Sequence, residues 1–352
     1  MSEKPFDYWE FFAADALRTG SKLYSRFAEG VRGDEELKAM AARAKPGQPH
    51  ANVLFAAVHF LLLRGAVHPL REFYPYLNAG RAKEGDPFVP FRDFCLSHRA
   101  ELEPLIATRV TNTNEVGRSA VLHPGFRVLA DEARMPLYLI EIGPSAGLNL
   151  IWDKYGVRYS KDGAVLASIA PGAALVIECE LRGENIPPTG PLPQIAGRVG
   201  LELNPVDLTN ADDRDWLRAL MWPDQMERAA RMEKAIALFE AAPPEIRSGD
   251  ALALLPEAMA AAPAESAICV YHTVAVYQFS TKMKQTLEDI LTVAGLRRPV
   301  WRLSFEMENA SQQLLRLIHY HNGTRSDRLL ADGHPHGAWL EWRAEDMRAS
   351  PL

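Results

Sequence analysis

The apolar positions in the first third of the chain recur at helical spacing. Large apolar side chains lie three or four residues apart in residues 6–28, and residues 51–65 are almost continuously apolar. Residues 91–109 repeat the amphipathic pattern, and prolines separate these segments. Because none of them alternates as a strand does, residues 1–120 are predicted to form a helical N-terminal domain.

From residue 136 onwards, short apolar runs are separated by long amphipathic segments. The runs with the length and composition of buried strands are 137–142, 199–203, 267–271 and 300–305. The long helical segments between them include 212–241 and 281–294. Strands that alternate with helices favour a parallel sheet covered on both faces. Residues 121–352 are therefore predicted to form an α/β domain with a doubly wound, Rossmann-like sheet.

Two segments of this domain depart from the alternation. Residues 155–197 contain two strand-like pieces and a proline-rich stretch, and they are predicted to be an inserted hairpin or lid. Near the C-terminal end, an Asn322 and Gly323 turn follows the apolar run 314–321, and further strand-like pieces extend to residue 342. This pattern predicts a C-terminal antiparallel hairpin or meander.

Composition and charge narrow the classes of partner. Of 352 residues, 47% are hydrophobic and 24% charged, and 39 basic against 45 acidic side chains give a net charge of −6. Such a chain has no overall attraction to phosphate backbones or anionic lipids. Nucleic acid is therefore not the expected partner, and a small-molecule substrate is expected. The pattern does not specify an oligomeric state.

Neither the N-terminus nor the cysteines indicate an extracellular protein. The first residues lack a basic segment followed by an apolar one, and no apolar run is long enough to cross a bilayer. Cys95, Cys179 and Cys269 are odd in number and far apart, which argues against a disulfide framework or a structural zinc site. We predict a cytoplasmic protein without membrane association.

The first candidate strand runs into a glycine-rich turn with the sequence EIGPSAG. Glycines at such a turn allow a sharp bend and close approach of a ligand to the backbone. A carboxylate at the strand end suits a cationic amine or ribose hydroxyls, and the dinucleotide fingerprint G-x-G-x-x-G is not matched. Glu141, Gly143, Ser145 and Gly147 are therefore predicted to hold the methionine moiety of S-adenosylmethionine. The alternative is a tight turn without a ligand.

Two later carboxylates would complete such a cofactor site. Glu202 is predicted to bind the ribose diol, although it follows the turn by far more than the usual distance of about 20 residues. Its alternative role is a solvated carboxylate at a strand end. Asp250 is predicted to accept the exocyclic amine of adenine, but its Ser-Gly-Asp context equally fits a helix start with Asp as N-cap.

Four further residues are candidates for contact with the substrate. His272 follows a candidate strand at the edge where open α/β sheets bind ligands, and it could be a general base. A satisfied structural histidine is the alternative. In the segment TNTNEVGR, Asn114 is predicted to bind the substrate, and Glu115 and Arg118 are predicted to act in catalysis. Glu115 and Arg118 also have the spacing of a helical ion pair.

The same turn has a second interpretation as the G-x-S-x-G elbow of a serine hydrolase with Ser145 as nucleophile. Pro144 beside a strained serine and the position of the turn after a helical domain argue against it. His272 and Asp250 are among several later residues that chain order would allow in a triad. A non-catalytic ligand-binding protein on a methyltransferase-like scaffold is the third possibility.

Two histidine pairs near the C-terminus raise the question of a metal. His319 and His321, like His334 and His336, are two residues apart, so each pair would share one face of a strand. Four imidazoles could converge on a metal ion, but no carboxylate–histidine motif accompanies them. No metal site is predicted.

Five segments of the chain resemble a known family. They read TNTNEVGR, LIEIGPSAGLNLIWDKYG, RVGLELNPVDLT, WLRALMWPDQMERAARMEKA and HPHGAWLEW. Together they resemble a family of uncharacterised bacterial proteins, a domain of unknown function grouped with class I S-adenosylmethionine-dependent methyltransferase folds, over most of the chain. The resemblance implies a methyltransferase-like fold behind a helical region, but no substrate and no catalytic residue. Ser145 replaces the middle glycine of the methyltransferase pattern. The resulting hypothesis is a methyltransferase that acts on a small molecule.

Overall fold

The computed structural model describes residues 6–309 and 312–343, and the chain divides into two units. The helical unit contains Met1–Thr113 and Val206–Ala230, and the sheet unit contains Asn114–Pro205 and Arg231–Leu352. The first boundary therefore follows residue 113, where the sequence pattern suggested residue 120. Residues 206–230, which the sequence pattern assigned to the α/β domain, belong to the helical unit.

Within the described residues, eleven α-helices alternate with short 3-10 segments and strands. The helices are α1 (Tyr8–Arg18), α2 (Lys22–Arg32), α3 (Glu35–Ala41), α4 (His50–Leu63), α5 (Phe88–Ser97), α6 (Arg99–Thr108), α7 (Ser119–Ala133), α8 (Ala211–Ala219), α9 (Met226–Ala241), α10 (Ala251–Ala260) and α11 (Thr281–Gly295). None of the helices in residues 6–309 and 312–343 has both the length and the apolar composition needed to cross a membrane.

Three segments predicted as single helices are each broken in two. Residues 6–28 form α1 and part of α2, because Gly20 adopts a positive φ of 93° and the Ser21 hydroxyl then caps α2 by accepting from Tyr24 N. Residues 91–109 fall in α5 and α6, which meet at His98. Residues 212–241 fall in α8 and α9, with Pro223 between them.

The core of the helical unit is aromatic. Phe27 of α2 stacks on Phe91 of α5 with ring centroids 4.1 Å apart, and Phe55 of α4 packs edge-on against both rings. All three side chains are fully buried. The apolar side chains that recur at helical spacing in the sequence thus include aromatic residues that pack three helices together.

The strands of the sheet unit form one mixed sheet. They are β1 (Leu137–Ile142), β2 (Gly156–Lys161), β3 (Ala164–Ile169), β4 (Val176–Arg182), β5 (Ile195–Glu202), β6 (Glu245–Ser248), β7 (Ala267–Thr273), β8 (Val300–Asn309), β9 (Gln312–His321), β10 (Thr324–Gly333) and β11 (Trp339–Trp342). In the described part of the chain these eleven strands have the order β3-β2-β4-β11-β10-β9-β8-β7-β1-β5-β6.

Five neighbouring strands of this sheet are parallel. They run in the order β6-β5-β1-β7-β8, so the direction of winding reverses between β1 and β7. Open α/β sheets bind ligands outside the carboxyl ends of the strands at such a reversal. The carboxyl ends of β1, β5 and β7 are therefore the place to examine for a site.

The other strands make the sheet larger and more antiparallel than the sequence predicted. β9 pairs antiparallel with β8 and with β10, and β10 pairs antiparallel with β11. Residues 155–197, predicted as an inserted hairpin or lid, supply β2, β3 and β4, which join the sheet through the parallel pairing of β4 with β11. Within the insertion, β2 and β3 form an antiparallel hairpin, β2 also pairs with β4, and β4 pairs with β11, so the insertion extends the main sheet.

Helices cover both faces of the parallel strands. Ile140 and Ile142 of β1 pack with side chains of α10 and α11 on one face. On the other face, Phe126 of α7 stacks on Trp152 at 4.2 Å and meets Tyr271 of β7 edge-on at 5.1 Å. Alternate residues of each strand therefore face opposite helical layers, which explains the nearly continuous apolar runs of β1 and β7.

Candidate functional site

The glycine turn directly follows β1 at the carboxyl edge of the parallel strands. Gly143, Ser145 and Gly147 all have positive φ angles, of 71°, 57° and 82°. The turn is held by backbone bonds from Gly143 N to Leu201 O (3.0 Å) and from Gly147 N to Pro144 O (2.9 Å). Positive φ suits the two glycines, whereas Ser145 adopts a conformation that costs free energy for a residue with a side chain.

Packing also requires glycine at two positions of this turn. A Cβ atom on Gly143 would lie 2.8 Å from Cβ of Ala275, in the loop after β7. A Cβ atom on Gly147 would lie 2.8 Å from Cδ1 of Ile246 in β6. The glycines thus let neighbouring loops and strands close around the turn.

Glu202 is brought to this turn although 57 residues separate it from Ser145. Its Oε2 atom accepts from Ser145 N at 2.8 Å, and its Oε1 atom accepts from Asn204 N at 3.0 Å. The side chain is buried at the end of β5, which is the neighbour of β1. Each carboxylate oxygen has a second lone pair, so Glu202 can accept two more hydrogen bonds.

Glu141 lies beneath the turn. Its Oε2 atom accepts from the Tyr271 hydroxyl at 3.0 Å, and only 1% of the residue is exposed. Burial raises the pKa of Glu141 to about 8; the nearby Glu202 carboxylate contributes in the same direction, whereas the Tyr271 hydrogen bond and the Arg118 charge oppose the rise. At neutral pH this carboxyl group is therefore mainly protonated, and its observed hydrogen bond is to another side chain of the protein.

Glu141→Gln should weaken the dependence of stability on pH. Between the ordinary pKa of 4.5 and the folded-state pKa of about 8, folded Glu141 keeps a proton that the unfolded chain releases, so stability falls as pH rises through this window. The uncharged variant lacks this penalty. We expect its free energy of unfolding, relative to the wild type, to rise by about 3 kcal/mol from about pH 5 to about pH 8.

Chemical denaturation at several pH values measures this difference. The matched control is Glu265→Gln at an exposed position, which should follow the wild-type profile. Parallel profiles for Glu141→Gln and the wild type would show that Glu141 is ionised in the folded protein.

Asn114 and Glu115, predicted to contact the substrate, form hydrogen bonds with backbone groups near the turn. Asn114 Oδ1 accepts from Leu148 N at 2.8 Å, just after the turn. Glu115 Oε1 accepts from Gly117 N at 3.0 Å and lies 3.7 Å from Nη1 of Arg231. Both side chains are buried, so their observed contacts are structural.

Arg118 connects three segments at the same edge of the sheet. Its Nε atom donates to Pro335 O at 2.9 Å, and Nη1 donates to Thr273 O at the end of β7 at 3.1 Å. The backbone of Gly117 also packs directly against that of His336. The loop with the sequence HPHG therefore belongs to the candidate site, which sequence reasoning missed, although HPHG was part of the family resemblance.

His272, the predicted general base, is fully buried and bonded at both ring nitrogens. Arg302 Nε donates to Nε2 at 2.9 Å, so the ring proton resides on Nδ1, which lies 2.6 Å from Oε1 of Glu306. Burial and the Arg302 charge lower the pKa of His272, while Glu306 opposes them. This geometry corresponds to the structural alternative for His272.

Glu306 is a further residue of the site that sequence reasoning missed. Its carboxylate accepts three backbone N–H bonds from the loop after β7, at 3.0 to 3.1 Å, in addition to the His272 contact. Burial, the largest single influence, raises the pKa of Glu306, but the His272 contact and the bonds from Ala275 N and Val276 N together lower this pKa below its usual value. Glu306 thereby holds the loop that packs against Gly143. Its sequence context, a glutamate late in a strand, gave no signal of this role.

Asp250 lies at the end of the outermost parallel strand, β6. Its side chain accepts from Leu252 N at 2.9 Å as the N-cap of α10, and the residue is exposed. Asp250 therefore caps a helix, which is the alternative that the Ser-Gly-Asp sequence suggested. The exposed side chain also leaves Asp250 accessible to a ligand.

The two histidine pairs lie toward opposite ends of the strands. His319 pairs with Trp301 near the start of β8. Asp332, two residues before His334, pairs with Leu314 of β9, and Leu314 in turn pairs with Glu306 of β8. Five residues of strand separate Trp301 from Glu306 by roughly 17 Å, so the four rings cannot share one ion. Among the residues described, no group of three or more potential metal ligands is found.

The fold and the site define a mixed α/β protein with a glycine turn and a carboxylate partner at the carboxyl edge of its parallel strands. The chain belongs to the family described as "Uncharacterized protein conserved in bacteria (DUF2332)", whose model matches residues 7–342. The resemblance seen in the sequence is thereby confirmed at the level of the family. No curated protein matches the chain.

Proposed function

We propose that this protein is an S-adenosylmethionine-dependent methyltransferase with a Rossmann-like sheet and a small-molecule substrate. The main support is the position of the Glu202 carboxylate on the glycine turn, beside the reversal of strand order. A carboxylate at the end of the second parallel strand suits a ribose diol, because its oxygens accept hydrogen bonds from the hydroxyls. Two of its four acceptor positions are used by backbone N–H groups, which leaves two for the two hydroxyls.

The remaining parts of the cofactor have less obvious partners. The N–H groups of Gly143, Ser145 and Gly147 are already bonded within the protein. Those residues would therefore provide close approach and shape, and the methionine carboxylate would need a separate cation. Arg118, whose charge acts on Glu141, is the candidate. Asp250 would accept the adenine amine from its exposed position.

S-adenosylmethionine supplies a methyl group activated by its sulfonium. The task of the protein is to align an acceptor with that group and exclude water, which requires no dedicated base. A structural role for His272 is therefore compatible with this reaction.

Calorimetric titration of the full chain with S-adenosylmethionine and S-adenosylhomocysteine tests the proposal. We expect binding that Glu202→Gln weakens roughly tenfold to hundredfold for both ligands, because the amide loses one acceptor and the negative charge. Asp207→Asn, at an exposed carboxylate shortly after β5, is the matched control and should bind as the wild type does. If the folded wild type binds neither compound, the methyltransferase proposal is wrong.

The serine hydrolase is the second candidate, supported by the positive φ of Ser145 in the turn that follows β1. Against it, Ser145 is only 2% exposed and both nitrogens of His272 are engaged. Loss of ester hydrolysis in Ser145→Ala with unchanged cofactor binding would favour the hydrolase. Cofactor binding without transfer to any acceptor would favour a non-catalytic binding protein.

A further inference from the structure

A groove of about 450 Å³ lies between α10 and α11. Its lining is mainly apolar and includes Met259 of α10 and Ile290, Val293 and Ala294 of α11. Ile268, near the amino end of β7, also lines it, so the groove lies at the edge of the sheet opposite to the glycine turn. Its volume falls within the range of about 300–1,000 Å³ that is usual for small-ligand sites.

The groove has a cation at one end. Arg297, just after α11, is exposed, and its guanidinium has no hydrogen-bond or ion-pair partner in the described part of the chain. The neighbouring Arg298 is different, because it donates to backbone carbonyls of the segment after α10, including Pro263 O at 3.1 Å and Ser266 O. Arg297 is therefore the guanidinium that can meet a ligand.

The opposite charge marks the other end of the groove. Asp289 lies on α11 about two helical turns before Arg297 and accepts from Gln285 Nε2 at 2.8 Å. A carboxylate would repel an anion at that end, whereas the guanidinium attracts one. The charges thus set the direction in which an amphipathic anion would lie.

We propose that this groove binds a medium-chain carboxylic acid. Its alkyl chain packs against Met259, Ile290 and Val293, and its carboxylate forms a forked contact with Arg297. The chain displaces water from apolar surface, and the charged head fixes the orientation. This site is independent of the methyltransferase proposal, since it shares no residue with the glycine turn.

Calorimetry on the full chain with decanoate, octanoate and decan-1-ol tests both parts of the site. We expect decanoate to bind roughly tenfold more tightly than octanoate, because two more methylene groups are buried. Decanoate should also bind more tightly than decan-1-ol, which has the same chain length and no charge.

Three variants assign the contacts. Arg297→Gln should weaken decanoate roughly tenfold and leave decan-1-ol unchanged. Ala294→Trp should fill the groove and remove the binding of both compounds. Lys284→Gln, which changes an exposed cation on the same helix outside the groove, should bind as the wild type does. The proposal is overturned if the wild type does not bind decanoate, if decanoate and decan-1-ol bind equally, or if Arg297→Gln has no effect.

Discussion

Gly117→Ala should destabilise the sheet unit by about 3 kcal/mol or more. A Cβ atom at this position would overlap the carbonyl oxygen of His336 and lie 2.6 Å from Nη1 of Arg231. Because the first of these atoms belongs to the backbone, no change of rotamer relieves the overlap. The segment that includes Arg118 would have to move away from the HPHG loop, and the bonds of Arg118 to Pro335 O and Thr273 O would be lost.

Denaturant unfolding followed by circular dichroism measures this loss. The matched control is Gly172→Ala, since a Cβ atom there meets no atom within 4 Å and neither glycine requires a positive φ. We expect the control to change the free energy of unfolding by no more than about 1 kcal/mol. Equal effects of the two substitutions would contradict the close contact between Gly117 and the HPHG loop.

Glu306→Gln should cost about 3 kcal/mol and loosen the loop after β7. The carboxylate accepts from His272 and from three backbone N–H groups, whereas an amide turns its own N–H₂ group toward one of these donors. Because the folded-state pKa of Glu306 is lowered, its contribution is present above its ordinary pKa of 4.5 and is lost as pH falls through the folded-state value.

The experiment compares unfolding near neutral pH and near pH 3, with hydrogen exchange at the backbone N–H groups of residues 275–277. Glu308→Gln is the control, since Glu308 is exposed two residues further along the same strand. We expect faster exchange in Glu306→Gln alone, and a smaller stability difference from the wild type at the lower pH. The same exchange rates in both variants would show that Glu306 does not hold the loop.

Local pattern was sufficient for several parts of this fold. The apolar runs predicted β1, β5, β7 and β8 because strands buried on both faces need apolar side chains throughout. Apolar residues at helical spacing likewise predicted the helices at the start of the chain, because a helix that packs on a core needs apolar side chains along one face. The breaks within the helices were missed, since Gly20 and His98 interrupt backbone geometry without interrupting the apolar spacing.

The role of individual site residues depended on strand register. The pairing of His272 with Ser304 places Arg302 and Glu306 on either side of the imidazole. From sequence, His272 was an isolated histidine at a strand end and a reasonable general base. The two partners that engage both its nitrogens come from β8, about 30 residues later, and nothing near His272 indicates them.

The sequence by itself determined the helical character of the first third of the chain, four of the five parallel strands, the glycine turn and the membership of the family. The first three depend on residues close together in the chain, and family membership depends on short segments that can each be read in the sequence without knowledge of the fold. Only the tertiary structure decided that Glu202 reaches the turn, that residues 155–197 extend the sheet, and that Glu141 and His272 are buried among partners. These features depend on which strands become neighbours in the sheet. Strands pair through backbone hydrogen bonds, which nearly every residue can form, so the sequence of one strand does not identify its distant partner.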